Sequence, residues 1–437
     1  MVSTANTVKS LGVGACTAIV VGNMVGSGFY LSPAAVAPYG TLAIVMWVIM
    51  GGGAICLGLT FARLARLAPA TGGPYAYTRM AFGDFPGFLI AWGYWISIWA
   101  SLPVIALAFA GAIMALAPDL QTRWVAIALT LGAIWIVVLV NLRGVKAAGI
   151  FAEVTVYAKL IPFAAIAIVG ILYIEPANLA VGFNPSGQPL LVSAAALAPL
   201  TMFAYLGLES ATVPAGDVRD PQRTIPLSTI LGISTAAILY VLGTIVVMGV
   251  VPHEQLIRSV APFSDAARIM WGPIGAGAIT LAVIVSSIGA LNGWTLLMGQ
   301  VPMAAAQDRL FPQVFGRLSS RGVPALGIVI SATFATVLVL VEVSGSPGVR
   351  AFYNMIVGLS TMTAVIPYAF CALAAGLVSV HAAANGKGRV GVIEIVAFVF
   401  ALFTLYGCGP EPVLYGLMLL MLGIPIYVWQ RKRSESK

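Results

Sequence analysis

From Ser10 to Ala62 the chain carries no charged side chain; Lys9 stands just before this run and Arg63 ends it. A helical crossing of a bilayer needs about 20 apolar residues, so this stretch alone suffices for two. No signal-peptidase pattern follows Lys9 and the apolar run is longer than a signal h-region, so the segment reads as a first membrane helix. The same imbalance continues through the chain. Only 8% of the 437 residues are charged and 60% are hydrophobic, where a soluble domain carries about 25% charged. With a mean hydropathy of +1.01, the sequence is that of an all-α integral membrane protein.

Apolar runs between polar punctuation give twelve expected helices, at about 10–37, 40–66, 84–117, 124–142, 149–174, 190–214, 226–251, 273–305, 323–342, 351–378, 391–408 and 412–429. Twelve crossings use about 240 residues, which leaves loops too short for an extramembrane domain, so residues 1–437 are expected to form a single membrane domain. No G-x-x-x-x-G-K-[ST] phosphate loop occurs, and His253 and His381 are the only histidines. An ATP-driven pump, a histidine-ligated metal site and a cofactor are therefore not expected. Both histidines fall in expected loops, so no nucleophile–base pair for an intramembrane enzyme forms and no catalytic residue is assigned. A channel would need rings of polar groups along a pore, and none is visible. Cys16, Cys56, Cys371 and Cys408 all lie in apolar stretches and read as small core residues.

The charges report topology. With the amino terminus in the cytoplasm, the even-numbered loops and both tails hold seventeen of the twenty-two Lys and Arg. The odd loops hold four, Arg123, Arg258, Arg268 and Arg350. This is the positive-inside distribution with both termini cytoplasmic, and it accounts for the net charge of +8 without a nucleic-acid partner. One lysine, Lys159, is left inside a span.

Backbone in hydrocarbon must satisfy its own polar groups, so irregular backbone belongs where it lines a cavity. The first span is interrupted by Gly22-Asn23-Met24-Val25-Gly26-Ser27-Gly28, and the sixth by Gly207-Leu208-Glu209-Ser210-Ala211 with Pro214 beyond. Taken alone, the first pattern fits tight helix packing of the small-xxx-small kind as well as it fits a site. Two interruptions in corresponding positions of an inverted repeat of five helices point instead to a transport site at the midplane. A half-helix starting at Ser27-Gly28 would aim amides at an anion, and one ending near Phe203-Ala204 would leave carbonyls free for a cation. Together they could hold the two ends of an amino acid.

Ionisable groups inside a bilayer are rare and usually functional. Glu153 lies near Arg143 and Lys146 and reads as an interfacial ion pair. Lys159 lies deeper, and two readings stand: a lysine neutralised by Glu153 or Glu209, or an ammonium that replaces a coupling sodium ion or changes protonation during the cycle. Glu209 is either a proton-coupling or substrate-contacting group or a cap on backbone freed at Gly207. Trp294, beside Asn292 in a long span, is core packing or a cation–π gate. Tyr94, Trp95 and Trp99 read as mixed core and lining.

These motifs carry a resemblance over nearly the whole chain. Besides the two interruptions it rests on Thr71-Gly72-Gly73-Pro74-Tyr75-Ala76-Tyr77, Pro262-Phe263-Ser264-Asp265-Ala266-Ala267-Arg268, Gly293-Trp294-Thr295-Leu296-Leu297-Met298-Gly299-Gln300 and Ile366-Pro367-Tyr368. The sequence resembles the amino acid–polyamine–organocation permeases, and among them the bacterial basic amino acid/polyamine antiporters of the arginine/agmatine type. The resemblance implies a five-plus-five inverted-repeat fold with helices 1 and 6 broken, repeats at about 10–174 and 190–378, and two further helices at about 391–429. It also implies alternating access, a bacterial inner-membrane location in contact with lipid, and a homodimer as the common assembly. By that resemblance Ser27 and Gly28 meet the substrate carboxylate, Phe203 stacks on the cationic end, and Ser360 adds a contact. Trp294 and Tyr94 act as gates, and Glu209 is the proton-sensitive carboxylate. Met24 and Leu206, flanking the interruptions, complete the substrate-binding set.

The departures bear on the substrate. Leu102 stands where the arginine/agmatine members have an asparagine, Ile98 where they have a cysteine, Ser97 where a small apolar contact is found, and Ala204 where they have a serine. A pocket without its amide partner loses discrimination for a polar side chain. Lys159 is absent from those antiporters and present in proton-coupled broad-specificity relatives, where it sits against the first-helix break; here it would reach carbonyls near Gly22 and groups near Ser286 or Ser287. The expected function is a secondary exchanger of amino acids or their amines, with proton-coupled symport of neutral amino acids as the alternative.

Overall fold

The computed structural model describes residues 11–67, 72–117, 119, 122–144, 159–213, 215, 218–345, 349–384 and 391–435. Glu153, Arg350's neighbours 346–348 and Lys387 lie outside them. Among the described residues every regular element is helical, apart from a single bridge between Leu11 and Val218. The first part of the chain forms α1 (Val13–Met24), α2 (Ser27–Tyr30), α3 (Ser32–Val36), α4 (Leu42–Leu67), α5 (Pro74–Phe82), α6 (Asp84–Leu116) and α7 (Arg123–Leu142). It continues as α8 (Lys159–Tyr173), α9 (Pro176–Leu179) and α10 (Leu190–Tyr205). Then come α11 (Pro221–Val250), α12 (His253–Arg258), α13 (Pro262–Gln307), α14 (Ala325–Gly345), α15 (Val349–Ala384), α16 (Val392–Gly407), α17 (Pro410–Met421) and α18 (Gly423–Glu435).

Among the described residues, eight helical segments are long and apolar enough to cross a membrane, and four shorter apolar helices, Val13–Met24, Lys159–Tyr173, Ala325–Val341 and Val392–Gly407, stand at the other expected positions. Both interruptions fall where glycine clusters. α1 ends at Met24 because Val25 is extended, and the chain resumes helix at Ser27. α10 ends at Tyr205 with Leu206 extended and Gly207 at φ +96°, a left-handed conformation that favours glycine.

The eighth span starts at 273 as expected, α13 joining it to a preceding helix from Pro262 across a kink at Gly272 (φ 70°, ψ −163°). Two other features differ from expectation. The last span divides at Leu422, between α17 and α18. His253 opens α12 and His381 lies on α15, so neither is on a loop.

The helices pack in two groups. α1, α4, α10 and α11 pair with one another, as do α6, α7, α13 and α14, and α15 lies against α6, α10 and α16. One end of the bundle, here termed the basic end, carries Leu11, α5, Asp308 and Arg431. The opposite end is closed by aromatic packing around the half-helix α2. Tyr30 stacks on Phe163 with centroids 4.5 Å apart, and Phe29 lies 4.7 Å from both Tyr240 and Phe263.

Close packing leaves Gly407 without slack. A Cβ at Gly407 would lie 2.0 Å from the Ala195 carbonyl oxygen, a backbone atom that cannot rotate away, whereas Gly52 faces open space. Gly407→Ala is expected to cost about 1–3 kcal/mol and lower the apparent Tm in detergent by a few degrees, with Gly52→Ala unchanged. Equal melting temperatures for the two variants would contradict the observed α10–α16 packing.

Candidate functional site

Unwinding a helix inside a bundle strands backbone groups, and the identity of their partners defines this site. At the end of α1 the carbonyls of Gly22 and Val25 both accept from Lys159 Nζ, at 2.6 and 2.8 Å. The ammonium therefore sits at the negative end of the helix, where a cation is stabilised. Ser286 Oγ donates to the same Val25 carbonyl at 3.3 Å and is hydrogen-bonded to Tyr30 of α2. Of the partners expected for Lys159, Gly22 is thus in place, and Ser286 reaches it indirectly through a shared acceptor. Among the described residues no ion pair joins Lys159 to Glu209.

The second interruption is closed differently from expectation. Carbonyls near its start are not left free: Phe203 O accepts the Leu206 amide at 3.3 Å, Ala204 O accepts the Tyr240 hydroxyl at 2.9 Å, and Tyr205 O accepts the Leu208 amide at 3.3 Å. The local 3-10 turn and one tyrosine have taken the positions assigned to a cation. The Gly207 amide donates to Tyr368 Oη at 3.5 Å. Glu209 is fully buried between two phenols, with one carboxylate oxygen accepting from Tyr94 and the other from Tyr368 at 2.5 Å. Two hydroxyl donors from α6 and α15 therefore hold it, and the resulting Tyr94–Glu209–Tyr368 layer joins three parts of the bundle.

Above this layer, away from the basic end, the two interruptions line a small cavity. Of the expected substrate-binding set, Met24, Gly28, Phe203, Leu206 and Trp294 line it. A Cβ on Gly28 would lie 2.8 Å from Phe203 Cδ1 and 3.1 Å from Ala204 Cα, so the two interrupted helices approach as closely as glycine permits. Trp294 Nε1 donates to Asn23 O at 3.3 Å, which lays the indole over the first interruption. Ser27 heads α2 beside the cavity, and the amides of Phe29 and Tyr30 turn back onto Gly26 O.

Five expected residues lie off the cavity wall: Ser97, Ile98, Leu102, Ala204 and Ser360. Ser97 Oγ donates to Tyr94 O within α6, and Ile98 and Leu102 are packed in the core. Ser360 Oγ is buried with no protein partner. α6 instead presents Ser101 and Ile105, and Ala290 and Gly26 complete the wall with Asn23. Ser101 lies one helical turn from Ser97, so the face was visible in the sequence but its register was not.

Asn23 is the residue the sequence reading left unassigned. Its Nδ2 donates to Ser210 Oγ at 2.8 Å, across the second interruption. A Cβ on Gly293 would lie 1.9 Å from Asn23 Oδ1, so the glycine before Trp294 makes room for this amide. The Gly293-Trp294 pair was the available signal. Among the described residues no charged side chain lines the cavity; Lys159 lies behind the first interruption and Glu209 is held by its two tyrosines.

With this geometry in view, relatives can be compared. The chain is similar to the Putrescine transporter PotE of Escherichia coli (strain K12), 30% identical over 434 residues, with 98% of each chain covered. The protein of the same name from Haemophilus influenzae is 27% identical, with 98% of this chain and 99% of that one covered. A cadaverine/lysine antiporter of Escherichia coli is 32% identical over 370 residues, 82% of each chain. A crystal structure of an Eremococcus coleocola manganese transporter mutant shares the fold at a TM-score of 0.62 and 13% identity, covering 98% of this chain and 96% of that one. The amino acid permease family model matches residues 11–424, and the chain belongs to that family.

Proposed function

We propose that the chain exchanges amino acids or their amines across a bacterial inner membrane by alternating access. The observation that carries this reading is the meeting of two interrupted helices at Gly28 and Phe203, across a cavity covered by Trp294. The named relatives, a putrescine transporter and a cadaverine/lysine antiporter, support small amines and amino acids as cargo and exchange as the mode. They favour exchange over proton-coupled symport of neutral amino acids.

In this reading the architecture is twelve membrane helices, with five-plus-five inverted repeats over about 10–174 and 190–378 and both termini in the cytoplasm. The substrate carboxylate lies at Ser27 and Gly28, and its cationic end faces Phe203 and Trp294, where a desolvated cation–π contact contributes about 2 kcal/mol. The α1, α4, α10 and α11 group then rocks against α6, α7, α13 and α14. Tyr94 moves with its Glu209 hydrogen bond, and Trp294 with its bond to Asn23. Lys159 supplies a tethered amine at the first interruption, and with Glu209 it is the group through which protons would couple to the cycle. Two copies in a lipid bilayer form the working assembly.

The decisive measurement uses proteoliposomes and radiolabelled arginine, lysine, putrescine and cadaverine. Uptake is expected only when vesicles are preloaded with one of these compounds. Accumulation into empty vesicles driven by an imposed pH gradient would overturn exchange in favour of symport.

Gly28→Ala tests the cavity itself. The added Cβ must displace Phe203 or the Ala204 backbone, so apparent affinity is expected to fall about tenfold or more while Tm and monodispersity hold. Undiminished affinity in a scintillation-proximity binding assay would remove Gly28 from the site.

A further inference from the structure

The basic end of the bundle is closed by a second layer beneath Glu209. Its centre is α5, a nine-residue helix that does not cross the bundle. The Gly72 amide donates to Val213 O at 3.2 Å, and a Cβ on Gly73 would lie 2.7 Å from Thr212 Oγ1. α5 is thereby seated on the chain just past the second interruption. Cys371, one turn beyond Tyr368 on α15, is fully buried with its thiol 3.4 Å from Pro74 O.

The other side of α5 is held by charge. Arg79 Nη1 lies 3.0 Å from Asp308 Oδ2, just past the C-terminus of α13, and Arg79 Nε lies 2.9 Å from Asp84 Oδ1 at the start of α6. Tyr75, itself buried, donates to the same Asp308 oxygen at 3.1 Å. Burial, reinforced by the Asp308 carboxylate, raises the Tyr75 phenol above its ordinary range, which keeps it a donor. Asp84 also accepts from Arg431 of α18 at 3.3 Å.

α5 thus spans the boundary between the two helix groups. It follows α4 and rests on the segment after α10, both of one group, while its ion pairs end on α6 and α13 of the other. Any motion of one group against the other that opens the basic end must separate these contacts. We propose that Arg79 and Asp308 form an ionic lock that holds the transporter closed at its basic end, with Tyr75 positioning the Asp308 carboxylate. Arg79 and Asp308 are about a third and two fifths exposed. A pair so wetted shifts an equilibrium by at most about fivefold, which suits a contact that breaks on every turnover. The lock rests on the alternating-access reading and is independent of which molecule is carried.

Cys371 provides the reporter, because separation of α5 uncovers its thiol. The experiment measures N-ethylmaleimide labelling of Cys371, without substrate, in nanodisc-held protein with Cys16, Cys56 and Cys408 replaced by serine. Asp308→Asn is expected to raise the rate about two- to fivefold, and the double reversal Arg79→Asp with Asp308→Arg to return it near the starting value. In the unaltered Cys371 protein, labelling should accelerate as salt screens the pair, a test that needs no variant able to misfold. An unchanged rate in folded Asp308→Asn, or a reversal that fails to rescue, would overturn the lock. Because substrate is absent from this assay, either result leaves the vesicle exchange measurement to judge the transport reading separately.

Discussion

The rest of this structure depends on the requirement that backbone polar groups find partners where no water is available to them. Two helices are interrupted, and where local turns do not close the exposed groups, side chains from other helices do. Lys159 of α8 takes the Gly22 and Val25 carbonyls, Trp294 of α13 takes Asn23 O, Tyr240 of α11 takes Ala204 O, and Tyr368 of α15 receives the Gly207 amide. The cavity and the packing of the bundle are therefore one arrangement. A side chain that completes the backbone at an interruption also fixes the angle at which its own helix meets the site.

How much of this could be read beforehand follows from the physics of each signal. The interruptions were legible because glycine clusters are unusual in an apolar span, and Lys159 was legible because a charge there is costly. Its bond to Gly22 was foreseen; of the two carboxylates expected to neutralise it, Glu209 makes no ion pair with it and Glu153 lies outside the described residues. The depth along α6 was lost for a different reason. A helix face repeats with every turn, so its pattern does not mark position along the axis, and Ser101 and Ile105 line the cavity one turn beyond Ser97, Ile98 and Leu102 on that face. α5 escaped the span reading because it does not cross, yet it carries Arg79, which pairs with Asp84 and Asp308 at the basic end.

Lys159 illustrates how a fixed cation differs from a bound one. A dissociable ion at the end of α1 would let the interruption relax when the ion leaves. A covalently attached ammonium holds Gly22 and Val25 in every state in which α8 stays beside α1. Removing it would strand two buried carbonyls at a cost of about 1–3 kcal/mol each, so the residue has a structural duty whatever its part in proton coupling. That duty extends to α2, since Ser286 shares the Val25 carbonyl and is bonded to Tyr30.

The two ends of the cavity are closed by different forces. Toward the basic end the path meets the Tyr94–Glu209–Tyr368 layer and then Arg79 on Asp308, both polar. Toward the other end it meets Phe29, Tyr30, Phe163 and Phe263, packed ring against ring. Charge pairs weaken with salt, whereas apolar closure strengthens with it and weakens on cooling. Ionic strength and temperature therefore act on opposite sides of the same equilibrium. High salt loosens the basic end while tightening the aromatic one, which biases the bundle toward opening at its charged face. This asymmetry follows from the sequence, whose basic residues gather in the same alternate loops that first reported the topology.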